Sequence, residues 1–159
     1  MLAAAQAGNT KLLISTLKIV RNINFKDYLK ETALHRAARR GHTSIAELLL
    51  ENGASIGAVN NHYNTPLHLA ALEGQTNVVE LLLKNGASIE ARGYCNHTPL
   101  HRAVMYGRTN TVELLIEKGA SIEVMGESAR TPLDDAVLLG HTDIVQLLKN
   151  KAAAYGNNA

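Results

Sequence analysis

A tetrapeptide that returns at a fixed interval constrains this chain more than any other feature. Thr32-Ala33-Leu34-His35, Thr65-Pro66-Leu67-His68, Thr98-Pro99-Leu100-His101 and Thr131-Pro132-Leu133-Asp134 follow one another every 33 residues without a gap. Gly8, Gly41, Gly74, Gly107 and Gly140 keep the same interval, as do Gly53, Gly86 and Gly119. A sequence of this kind folds as stacked supersecondary units, none of which buries its apolar faces alone. Its 159 residues fit one domain rather than two separate cores.

Within each period the local signals predict a helical hairpin. Thr supplies an N-cap hydroxyl, and Pro at the next position has no N–H to leave unsatisfied and a preset φ. Helix A then carries a narrow stripe of mostly small apolar residues, as in Leu67, Ala70, Ala71 and Leu100, Ala103, Val104. After the Gly74-type turn, Val78, Val79, Leu81, Leu82 and Leu83 mark a fuller helix B that ends at Asn85-Gly86. Ile23, Ile56, Ile89 and Ile122 keep the interval and anchor the segment that follows.

Period and tetrapeptide together resemble the ankyrin-repeat family, over residues 1 to about 151. The resemblance implies an all-α-type solenoid of helix-turn-helix units with short β-hairpin fingers. The units fall at about 1–26, 27–59, 60–92, 93–125 and 126–151, with 152–159 as a tail. Ser15 and Thr16 stand where Leu48 and Leu49 stand in the next unit, which marks a degenerate first unit. Lys149, Ala152 and Asp134 depart from their columns in the last, which reads as a cap. Because the chain opens almost on its first helix A, a fragment of a longer protein or an abrupt natural start is expected. Lys30, Tyr63, Asn96 and Ala129 stand where the family usually has a finger glycine, which leaves the finger shape open. Thr111 interrupts the apolar column of Ile45, Val78 and Ile144 and predicts a weaker unit four.

Other chemistry finds little support. Sixteen Lys and Arg against fourteen Asp and Glu give too weak a surplus for a general polyanion binder, so no nucleic acid is expected. The single Cys95 cannot form an internal disulfide and no signal core opens the chain, which fits the cytoplasm, with the nucleus or a host cytosol also open. Family resemblance assigns His35, His68 and His101 structural hydrogen bonds to the Thr and the adjoining finger. His62, Cys95 and His97 fall in adjacent fingers, but their spacing matches no zinc pattern, so neither metal nor cofactor is expected. No nucleophile elbow or phosphate loop occurs, and Asp134-Asp135 are helix neighbours that do not face one another, so no enzyme is expected. The amphipathic helices are explained by stacking, which leaves no separate support for a membrane role.

The family binds proteins mostly through finger tips and the exposed side of helix A, together a concave face. Carried over column by column, that implies a partner site comprising Tyr28, Arg36, Arg39, Arg40, His62, Leu72, Tyr94, His97, Arg102, Met105, Tyr106, Arg130, Leu138 and Leu139. Tyr94, Arg102, Met105 and Tyr106 converge in unit four and form its expected centre. Arg36, Arg39 and Arg40 are either a basic rim for an acidic segment of the partner or merely solvated positions. Leu138-Leu139 suit a partner or a following segment. The reading is a non-catalytic, monomeric protein-binding scaffold or adaptor; the alternatives are a targeting arm of a larger enzyme or secreted effector, and an inert spacer.

Overall fold

A computed structural model of the protein describes residues 1–17, 19 and 22–156. Its helices pair as α1 (Leu2–Ala7) with α2 (Thr10–Leu17), α3 (Ala33–Arg40) with α4 (Thr43–Glu51), and α5 (Pro66–Glu73) with α6 (Thr76–Lys84). They continue as α7 (Pro99–Met105) with α8 (Thr109–Glu117), and α9 (Pro132–Leu139) with α10 (Thr142–Gly156). Odd-numbered helices stack in one layer and even-numbered helices in a second, each packed on its counterpart in the next unit. The expected helical solenoid is therefore what the chain forms. Among the described residues no helix is long and apolar enough to cross a membrane.

Small residues set the close spacing of the first layer. Ala37, Ala38, Ala70, Ala71 and Ala103 are buried, while Leu34, Leu67 and Leu100 fill the gaps between them. In the second layer Leu49, Leu82, Leu115 and Leu148 form a buried column, each worth about 2–5 kcal/mol against truncation to Ala. Thr111 is buried among apolar residues, but its hydroxyl meets Thr76 Oγ1 at 3.0 Å, so the interruption leaves that polar atom satisfied. Ala152 offers no left-handed stop where Gly53, Gly86 and Gly119 stand earlier. Helix α10 accordingly runs through residues counted as tail, as far as Gly156, while 157–159 lie outside the described residues.

Two polar columns stitch the units together. Thr32, Thr65 and Thr98 each accept the backbone N–H three residues on, and the histidine there returns Nδ1 to the Thr N–H, closing a capping box. Since Nδ1 accepts, the proton sits on Nε2, which donates to the next finger: His35 to Asn64 O, His68 to His97 O and His101 to Arg130 O. A second column points the other way: His42, Gln75, Arg108 and His141 donate to carbonyls at or next to the end of the preceding helix A, at Gln6, Arg39, Leu72 and Met105. The glycine beneath that donor is needed twice over. Gly74 has φ 76°, and a Cβ there would lie 2.9 Å from Arg108 Cδ.

The fingers differ from the expected β-hairpins, since no strand is formed among the described residues. Each is one tight turn closed by a single pair, as where Asp27 N–H donates to Glu31 O and Lys30 N–H to Asp27 O. Adjacent fingers share too few bonds for a ladder: Asn61 N–H reaches Leu29 O and Glu127 N–H reaches Cys95 O. The missing glycines do not change the turn, because Lys30, Tyr63, Asn96 and Ala129 all take left-handed backbone, at φ 57°, 57°, 57° and 53°. The closing bond imposes this conformation at a cost of about 1–2 kcal/mol for a residue with a Cβ.

Candidate partner-binding face

The fingers and the odd-numbered helices present most of the side chains expected to meet a partner, and the structure divides them sharply. In unit two the finger is closed on itself. Asp27 Oδ1 accepts the N–H groups of Leu29 and Glu31, and its Oδ2 pairs with Arg36 at 2.5 Å. Burial pushes the Asp27 carboxyl up, yet Arg36 and the two backbone donors outweigh it and hold it below its usual value. Glu31, only 2% exposed, pairs with Arg39 and accepts from Asn60 Nδ2. The expected basic rim is thereby reduced: Arg36 and Arg39 neutralise carboxylates of their own unit, and Arg40 alone of the three stays exposed without a partner among the described residues. Tyr28 stands 84% exposed at the tip.

Unit four is built differently. Gly93 replaces the bracing Asp or Asn, and the preceding finger reaches in instead, with Asn64 Oδ1 accepting the Tyr94 N–H at 3.3 Å. A Cβ at Gly93 would lie 2.5 Å from that oxygen. Cys95 and Asn96 are both left-handed at φ 57°, and of the two Cys95 carries the strain, since Asn tolerates this region. The Tyr94 ring, exposed to solvent, meets the edge of His62 at 5.7 Å and covers Arg102, whose guanidinium lies 5.6 Å from the ring centre.

Tyr94 and Arg102 therefore come together as expected, but Arg102 is not an exposed side chain. It is 7% exposed; its Nη2 donates to Tyr94 O at 3.3 Å, and its Nε has no partner. Met105 is half-buried one turn further along α7. Tyr106 follows it at the helix end, exposed and without a ring partner among the described residues. His97, expected at the surface, is 6% exposed because its ring stacks on His101, at 5.1 Å and 14°. Its Nδ1 is unpartnered, and burial together with the Arg102 charge lowers its pKa, so the ring is neutral. Burial likewise lowers His35, and takes His68 and His101 to about 4.

In unit five Arg130 donates through Nε to Asp135 Oδ1 at 2.7 Å, leaving Asp135 Oδ2 buried and unpartnered. Leu138 and Leu139 are exposed at the end of α9, and Leu72 is partly exposed in unit three. His62 and His97 turn to different rings, Tyr94 and His101, and among the described residues no cluster of three His, Cys, Asp or Glu side chains could hold a metal. Reading by columns missed Asp27 as a brace. The signal was present, since Asp27 and Asn60 occupy one column at the start of a turn and Gly93 and Gly126 vacate it.

Comparison with known proteins agrees with this architecture. The family model for ankyrin repeats (3 copies) matches residues 1–93 and again 91–158. Over 52 residues the chain is 46% identical to the 60 kDa lysophospholipase of Mus musculus, a stretch that covers 33% of this chain and 9% of that protein. Ankyrin repeats generally mediate protein–protein interaction and are typically non-catalytic. With repeat, caps and stacked hairpins in agreement, the chain belongs to the ankyrin-repeat family.

Proposed function

We propose that this chain is a non-catalytic, intracellular module that binds a partner protein through its concave face and finger tips, centred on unit four. One observation carries the reading: an exposed tyrosine lies over an arginine that no carboxylate among the described residues neutralises. Tyr and Arg dominate binding hot spots, and a preorganised surface loses little conformational entropy on association. The other polar side chains of the face are largely engaged within the chain, Arg36 and Arg39 of unit two among them, which supports keeping the centre in unit four.

The test is affinity capture from lysate of the source cell, comparing the parent with a Tyr94→Ala, Met105→Ala, Tyr106→Ala variant whose circular dichroism is unchanged. A protein retained by the parent and lost by the variant supports the reading. Equal capture moves the site to another surface, and no capture by either favours an inert spacer. A second reading, a recruiting arm within a larger enzyme, draws on the similarity to a short part of the mouse lysophospholipase. Hydrolase activity copurifying with the native full-length protein would support that reading.

A further inference from the structure

We infer that Arg102 and His97 form a carboxylate subsite, built to take one Glu or Asp side chain from an extended segment of the partner. The inference rests on the concave-face reading and adds the chemistry of what is bound. One column across the stack makes the case: Arg36, Leu69, Arg102 and Asp135 occupy equivalent positions on four successive units. Arg36 pairs with Asp27, Asp135 pairs with Arg130, and Leu69 is apolar and buried. Arg102 alone carries a buried charge with no counter-ion among the described residues, a state that is costly unless a partner completes it.

The neighbouring groups fit one carboxylate. Arg102 offers its unpartnered Nε–H, and the neutral His97 ring has no hydrogen-bond partner at Nδ1 among the described residues, so Nδ1–H can serve the second oxygen. Gly126 makes room for that ring, since a Cβ there would lie 2.5 Å from His97 Cδ2. Arg130 and Asp135 cancel in charge, which leaves a surplus of one positive charge at the site. That surplus suits a carboxylate better than a doubly charged phosphate beside Asp135. Asp135 Oδ2, also buried and unpartnered, would accept a main-chain N–H of the same segment. Entry requires the Tyr94 ring to swing off the guanidinium, a rotamer change of a kind common when partners bind.

The test uses the full chain, 15N-labelled, and follows the Arg102 Nε–H signal by NMR, assigned by its loss in Arg102→Leu. That variant is expected to fold, because Leu69 fills the same column at 3% exposure. The probes are three capped extended peptides alike but for one residue, Glu, Gln or phosphoserine. The expected result is a saturable shift with the Glu peptide, about tenfold or more tighter than with the Gln twin. Bound carboxylate is also expected to raise the His97 pKa, and the Tyr94 ring signals of Arg102→Leu should not respond. No saturable shift, equal binding of the Gln twin, or tighter binding of the phosphoserine peptide overturns the subsite. Capture that depends on Tyr94, Met105 and Tyr106 while the Glu peptide fails to bind sinks the subsite and spares the concave-face reading.

Discussion

The unit-two and unit-four fingers share a turn and differ in everything that holds it. In unit two the turn is braced from within by Asp27, and two buried or half-buried carboxylates are met by two arginines of the same unit. In unit four the brace is borrowed from the preceding finger through Asn64, and His68 hangs the finger base from the preceding helix. His97 Nδ1 and Arg102 Nε are left over. Unit one adds to the contrast, because Leu2 occupies its histidine column and offers no donor to the unit-two finger, whereas the unit-three finger has both the His35 bond and its own Asn60 brace. A finger that must hold itself consumes its polar groups. One that is held by its neighbour keeps them for a partner.

Acid separates the two designs most strongly. His35, His68, His97 and His101 have folded pKa values below 6.5, with His68 and His101 at about 4. Between those values the unfolded chain binds more protons than the folded one, so stability is full above pH 6.5 and is lost as pH falls toward 4. The slope reaches up to about 1.4 kcal/mol per pH unit for each such histidine. Protonation of Nδ1 also ends its acceptance of the Thr N–H. The unit-two finger is held by Asp27, whose pKa is depressed from 3.8, so that contribution persists until lower pH. Amide hydrogen exchange at pH 5, corrected for intrinsic rates, should show lost protection at Asn96 and Ala129 and retained protection at Lys30 and Glu31. Equal loss in all fingers would erase the distinction.

Exchanging the braces gives the next largest effects. Asp27→Ala removes a charged acceptor from two backbone N–H groups and is expected to cost about 2–3 kcal/mol in urea denaturation. Gly93→Asp does not install the missing brace, because its Cβ would lie 2.5 Å from Asn64 Oδ1 and 2.9 Å from His68 Nε2. It should cost about 1–3 kcal/mol, and a gain in stability would refute borrowed bracing. Arg102→Leu should change stability by about +1 kcal/mol or less, because an uncompensated charge leaves and an apolar group enters where Leu69 already fits. A loss of about 3 kcal/mol would mean that Arg102 is structural.

The helices and their caps were legible because each depends on residues within four positions of one another. Thr65, Pro66 and His68 specify a cap whatever surrounds them. The charge pattern on the face was not legible, because pairing crosses columns: Asp27 reaches Arg36 nine residues on, and Glu31 is buried only once Arg39 and Asn60 close over it. His97 reads as a surface residue in sequence and becomes a buried one through the flat stack on His101. The finger turn was obscured for the converse reason: the residue type at its left-handed position says glycine is absent, while the hydrogen bond that closes the turn decides the backbone.

That last point yields the smallest effect and the cleanest sign. Ala129 is exposed and sits at φ 53°, so replacing it with Gly changes no packing. The change relieves about 1–2 kcal/mol of left-handed strain and gives back about 0.4–1 kcal/mol through the greater freedom of the unfolded chain. The net is a gain of about 0.5–1 kcal/mol, read as a higher denaturation midpoint with unchanged m-value. Gly140, at φ 73° with open space where a Cβ would stand, is the reverse control, and Gly140→Ala should lose a similar amount. Asn96→Gly in the unit-four finger should be near neutral, because Asn tolerates the left-handed region. If Asn96→Gly gained as much as Ala129→Gly, the unit-four finger would be as strained at this position as the unit-five finger, and the excess strain would no longer belong to Cys95 alone.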